Sequence, residues 1–454
     1  MKINKKYDYW IRSSKFTAIT KFSNLFIGIL LFMILARILG HDNRAAFGVW
    51  GLFMTISSIT ETARISLIRN AYIRFMNQTE EHEHEGLQAS AFVLRMLISV
   101  ILAGAFFILS SKVAVWLNAP GMDLMLRWYA LTLLINTIFA HCEMTLTAKM
   151  DFRGVSIMYV LRQCFLLAVI VIYWLFKLPI TPVILSVYYM VSVIVGSLVG
   201  VKLSSAYLKW TINNYKKWVG RLWQFGKYVF GTNISALLFR SVDTFLTSAY
   251  ISPGVSAFYN ASNRIGNLID MPSQVLADVA FTKATQINQD DKRSVKNMYE
   301  KTVGAILTFS LPALAFLLIF PGFILRVVAG SAFLDAVPIL RFSAFFGFIA
   351  PFMRQYGTVM DATGYPHLNF YNNFLSVILS VIFIYLGVHV IGFMGAAVGT
   401  AATYLVIFAV AQWTLYKKFE INFIQVFKYM FEFYGKAFTM AKSYTKTGIY
   451  TVKA

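Results

Sequence analysis

Apolar residues run in long blocks along almost the whole chain, each close to the ~20 residues that a helix needs to cross ~30 Å of hydrocarbon. Short connections carrying charge, Gly or Pro separate the blocks, and the pattern predicts twelve membrane spans. Six fall near Phe16 to Leu39, Ala46 to Ile68, Leu87 to Leu109, Leu124 to Thr145, Val155 to Phe176 and Thr181 to Val201. Six more fall near Tyr228 to Ile251, Ala257 to Asp278, Val303 to Gly322, Pro338 to Val359, Leu368 to Val388 and Gly392 to Tyr416.

Composition agrees with an integral membrane protein. Hydrophobic residues make up 58% of the chain, charged residues 13%, and mean hydropathy is +0.63, whereas about a quarter of a soluble domain is charged. No soluble catalytic domain fits in what remains, and no enzyme is expected. The apolar run behind the basic segment Met1 to Lys15 is too long for a signal-peptide core and lacks a small-residue cleavage site, so a retained first span is expected.

The net charge of +21 would suit nucleic acid, but its distribution argues otherwise. Lys and Arg crowd alternate connections: Lys2 to Lys15, Arg69 and Arg74, Lys149 and Arg153, Lys202 to Lys227, Lys283 to Lys301, and Lys417 to Lys453. By the positive-inside rule both termini are cytoplasmic, which requires an even number of spans. The basic surface then meets anionic lipid headgroups, and nucleic acid is not expected as a partner. Cys142 and Cys164 both fall in spans and form no metal or disulfide pattern. The run Glu80, Glu81, His82, Glu83, His84, Glu85 reads as a solvated cap before the third span. Neither a metal nor a cofactor is expected.

The longest polar connection, Lys202 to Lys227, divides the chain in two. Residues 1–210 form the first group of six spans, 211–227 a linker, 228–416 the second group, and 417–454 a cytoplasmic basic and aromatic tail. The expected fold is all-α and polytopic, with about twelve transmembrane helices in two six-helix lobes around a central cavity. Six spans per half is an even number, so both halves enter the membrane in the same direction, as in transporters built from parallel repeats.

Charges inside spans are candidates for function, because each costs ~2.5 to 3.5 kcal/mol at mid-bilayer unless it faces water or a partner. In the eighth span Asn260, Asn263, Arg264, Asn267, Asp270 and Gln274 recur at three- and four-residue spacings, which places them on one helix face. The seventh adds Arg240 and Asp243, three residues apart and able to pair; the second adds Glu61 and Arg64 at the same spacing. Arg95, Glu143 and Arg162 complete a cavity with excess positive charge. Arginine presents a fork of donors that grips phosphate oxygens in pairs, so the expected ligand is a phosphorylated amphiphile. The arginines Arg264, Arg240, Arg64, Arg95 and Arg162, with the amides Asn260, Asn263 and Asn267, are the candidate substrate contacts. Asp243, Asp270, Glu61 and Glu143 are candidates for ion coupling or for charge partners.

Several segments resemble bacterial polysaccharide flippases of the Wzx type, in the multidrug/oligosaccharidyl-lipid/polysaccharide exporter superfamily. They are Val242 and Asp243, Tyr250 and Ile251, Ala257 to Ser262 with Arg264 and Ile265, then Gly330 to Phe333, Asp361 to Pro366, and Gly392, Gly395, Ala396, Ala397 and Gly399. Ala36 to Gly40 with Phe47 and Gly48 match the first hairpin of that family. The resemblance implies two lobes that open alternately to the two faces of the bacterial inner membrane and carry an undecaprenyl-diphosphate-linked oligosaccharide outward. It also implies membrane lipids, a polysaccharide polymerase and other assembly proteins as partners. Two rivals share the superfamily: a multidrug antiporter and a lipid-diphosphate flippase for peptidoglycan precursor. Proton-coupled drug antiporters often rely on an acidic residue in the first span, and Phe16 to Leu39 contains none.

Overall fold

The computed structural model describes residues 5–208, 215–284 and 291–447. Linker positions 211–214 and tail positions 448–454 lie outside the described residues. The described chain is helical, with no strand. Its helices in order are α1 (Lys5–Asp42), α2 (Arg44–Gln78), α3 (Glu81–Trp116), α4 (Met122–Ala148), α5 (Phe152–Leu175), α6 (Pro182–Ser204), α7 (Tyr215–Phe239) and α8 (Val242–Tyr250). There follow α9 (Pro253–Ala284), α10 (Lys292–Ile319), α11 (Pro321–Val328), α12 (Val337–Phe346), α13 (Ala350–Ala362), α14 (Pro366–Ile391), α15 (Gly395–Phe419) and α16 (Phe423–Thr447).

Eight helical stretches among the described residues are long and apolar enough to cross a membrane, and one of them, Pro366–Phe419, contains the last two expected spans. The expected spans missing from this set are those on α2, on α7 with α8, and on α9. These helices carry most of the candidate charges and the amide stripe. Their lower hydropathy follows from polar side chains that face partners or water rather than acyl chains.

Contacts divide the chain into two compact units, Met1–Phe258 with Arg326–Leu334, and Tyr259–Leu325 with Asp335–Ala454. In the first unit α7 packs on α2 and α3. Trp218 and Leu222 are fully buried there among Leu67, Tyr72, Leu87 and Met144. The Lys217 ammonium donates to Glu83 at 2.6 Å, in the polar collar ahead of the third span, and this bond holds the Glu83 carboxyl below the usual carboxylate range. Gly48 lies against the Pro253 backbone, where a Cβ would find no room. Cys142 is buried and Cys164 exposed.

In the second unit α14 and α15 make the closest approach. Gly387, Gly395 and Gly399 bring backbone to backbone, and a Cβ on Gly399 would stand 2.6 Å from Ile384 Cα. Small residues at a helix crossing let dispersion contacts replace a hydrophobic drive that lipid does not supply. The expected tail folds as α16 through residue 447 and packs on α10. Val426 and Met430 are buried at helical spacing, Asn422 N–H donates to Glu300 at 3.3 Å, and Tyr434 donates to the Thr308 carbonyl at 2.9 Å. The segment read as a basic and aromatic tail is thus a helix whose apolar stripe packs on a partner.

Candidate functional site

In the first unit the charges converge on α2, α3 and α4. Glu61 and Arg64 pair as their spacing predicts, with Arg64 Nη1 donating to the carboxylate at 2.7 Å. Arg64 Nη2 donates to the Leu133 carbonyl at 3.2 Å and to the Thr137 hydroxyl at 2.8 Å, and Thr137 is bonded to Ser99 at 2.7 Å. Tyr129 donates to the Ser57 carbonyl at 3.1 Å and to Glu61 at 3.4 Å. One polar chain thus links α2, α3 and α4.

Glu143 is buried and taken by a partner that sequence reading missed. Arg69 on α2 grips it with Nε at 3.1 Å and Nη2 at 2.8 Å, a bidentate pair between α2 and α4. Arg69 had been read as a charge of a connection, and a contact between positions 74 apart leaves no local signal. Arg95 on α3 is 1% exposed and stands in the electrostatic field of Arg64, Glu61 and Glu143. Arg162 is set apart from the carboxylates. It donates to the Tyr189 hydroxyl at 3.0 Å and lies over the Phe139 and Tyr189 rings at 5.0 and 5.3 Å.

Arg240 and Asp243 do not share a helix, because the chain breaks between α7 and α8 at Arg240 and Ser241. Arg240 is exposed. Asp243 is buried in the first turn of α8, where its carboxylate accepts from the Thr244 N–H at 2.6 Å and the Thr244 hydroxyl at 3.2 Å. A carboxylate at a helix start also opposes the positive end of the helix dipole.

The second unit holds the stripe on α9. Ala261 and Ile265 are buried, while Arg264 and Asn267 are exposed and Asn260, Asn263 and Asp270 half-buried, so the amphipathic face read from spacing is present. Tyr259 anchors the helix by donating to the Phe393 carbonyl at 2.9 Å and accepting from Ala397 N–H at 3.0 Å. Asp270 is held in an ion pair by Arg354 of α13. No described residue pairs with Arg264, whose guanidinium is left at the exposed face among amides that cannot neutralise it. Among the described residues no group of His, Cys, Asp and Glu is arranged to hold a metal.

The chain is similar in sequence and in fold to known proteins. A family model described as polysaccharide biosynthesis protein matches residues 34–338. A Klebsiella pneumoniae protein described as an uncharacterized membrane protein in the cps region is 21% identical over 396 residues, covering 86% of this chain and 78% of that protein. Among solved structures, an inward-facing multidrug resistance MATE family transporter of the MOP superfamily superposes with a TM-score of 0.71 at 14% identity, over 88% of this chain and 95% of its own. The lipid II flippase MurJ in an inward closed conformation gives 0.72 at 12% identity, over 96% and 93%. At these identities the likeness shows the fold.

Proposed function

The chain belongs to the polysaccharide biosynthesis protein family, and from that premise we propose that it flips a lipid-diphosphate-linked oligosaccharide across the bacterial inner membrane. The undecaprenyl carrier and alternating access between two lobes come with this reading. Membrane lipids, a polysaccharide polymerase and other assembly proteins are its partners in this reading, and both termini are cytoplasmic.

One observation carries the proposal. Arg264 is exposed on the polar face of α9 with no partner among the described residues, flanked by Asn260, Asn263 and Asn267 on the same face. An unpaired guanidinium in a membrane helix is costly unless it faces water and meets an anion in transit. Its planar fork fits a diphosphate, and neighbouring amides fit sugar hydroxyls. Arg240, also exposed, is a second candidate contact. Arg64 and Arg95, each 1% exposed, are sealed from a bulky cargo in this conformation, and Arg162 is occupied by Tyr189. Asp243 and Asp270 take the role of charge partners or ion coupling.

The test is reconstitution. Proteoliposomes loaded with a fluorescent undecaprenyl-diphosphate glycan on the inner leaflet should expose it to an external lectin only when this protein is present. Transport of a cationic dye instead would support the multidrug reading, and transport of lipid II alone the peptidoglycan reading.

A further inference from the structure

Three arginines inside the first unit, Arg64 and Arg95 buried and Arg69 half-buried, differ in how they use their donors. Arg69, with 31% of its side chain exposed, fills its Nε and Nη2 edge with the Glu143 carboxylate. Arg64 satisfies both terminal nitrogens on Glu61, Leu133 and Thr137. Arg95 is as deeply buried as Arg64, which leaves only its Nε without an acceptor, yet both Nε and Nη2 of Arg95, the edge that Arg69 uses, meet no acceptor among the described residues.

Charge counting sharpens the difference. Arg64, Arg69 and Arg95 stand against Glu61 and Glu143, and each carboxylate is already engaged, Glu61 by Arg64 and Glu143 by Arg69. His141, buried on α4 within the field of Arg95, offers no negative charge. Among the described residues Arg95 is therefore one positive charge in excess of this cluster's carboxylates, and an uncompensated buried charge is among the most costly features a fold can keep. Ser99, one turn along α3, turns its hydroxyl to the Arg95 carbonyl and to Thr137 rather than to the guanidinium.

We propose that the Nε and Nη2 edge of Arg95 is an internal anion site, which holds one small monovalent anion of the chloride or bicarbonate class as a fixed counter-ion among α2, α3 and α4. Two parallel N–H donors on a rigid plane hold either a halide or a pair of carboxylate-type oxygens. Arg95 is 1% exposed, so an anion at this edge is small and is seated by local adjustment of the side chains around it, which a glycan diphosphate could not achieve. This site does not rest on the reading of Arg264 and would stand if the cargo were of another class.

The experiment is thermal unfolding of the purified full chain in nanodiscs, with chloride or bicarbonate titrated against gluconate at constant ionic strength. Ligand that binds only the folded state raises the melting temperature in a saturable way, here by about 2–4 °C at a hundredfold excess over the dissociation constant. A response to chloride alone assigns a halide, and one to bicarbonate alone assigns the carbonate species. Arg95→Met removes the response and Arg264→Ala keeps it. Arg95→Lys retains the charge without the fork and shifts the midpoint of the response about tenfold or more to higher anion concentration. A wild-type melting curve indifferent to both anions overturns the site, whether or not the Arg95 variants fold; so does an unchanged response in a folded Arg95 variant.

Discussion

Asp270 of α9 and Arg354 of α13 hold each other as an ion pair, with Arg354 Nε 3.4 Å from one carboxylate oxygen and Nη2 bonded to the other. The pair joins two helices of the second unit and lies on the same face of α9 as Arg264. Of the two cations on that side of the helix, one has a fixed counter-charge and the other has none. That contrast separates a scaffold charge from a ligand charge.

The Asp270 pair predicts strong coupling between its members. Asp270→Asn strands the Arg354 guanidinium and lowers stability by about 1–3 kcal/mol, because removing one partner leaves the other uncompensated. Arg354→Gln alone does the same in reverse, whereas the double variant recovers a large part of either loss. Thermal unfolding of the four proteins in detergent measures this. Additive losses would show that the two side chains do not act as a unit.

The crossing of α14 and α15 predicts an asymmetry among glycines. Gly395→Val places a side chain on the backbone at Gly387 and costs about 1–3 kcal/mol by overpacking. Gly104→Ala points into open space on α3 and is neutral or slightly stabilising. Membrane levels and melting temperatures of both variants check the pair. Equal tolerance at Gly395 and Gly104 would mean that the close approach does not bear on stability.

These contrasts also show what the sequence made legible. Spans could be read because hydrocarbon demands length and apolarity, and the face of α9 could be read because its polar residues keep a helical period. Glu61 and Arg64 could be paired because one helix turn joins them. Arg240 and Asp243 have the same spacing, yet a helix break parts them, and spacing alone carries no sign of a break. Arg69 with Glu143 and Arg354 with Asp270 are contacts between positions 74 and 84 apart, which only the packing of helices sets. The α16 segment was obscured by its lysines, since charge on one face hides an apolar stripe on the other.

Topology gives a third prediction, from the alternation of Lys and Arg. Reporter fusions after Lys217 and after Ala454 read cytoplasmic, and a fusion after Pro253 reads periplasmic. Alkaline phosphatase activity at Ala454 would place the carboxyl terminus outside and remove the twelve-span arrangement.

In the proposed function Arg264 grips the diphosphate of the cargo. In a strain lacking the native gene, with membrane levels matched by immunoblot, Arg264→Ala should reduce surface polysaccharide at least about a hundredfold, of the order expected when a charge contact that bound substrate shields from water is lost. The alanine protein should stay folded and inserted, because no described carboxylate loses a partner. Arg264→Lys should restore only part of the export, since an ammonium keeps the charge and loses the fork. Normal surface polysaccharide from a well-expressed Arg264→Ala protein would contradict the account.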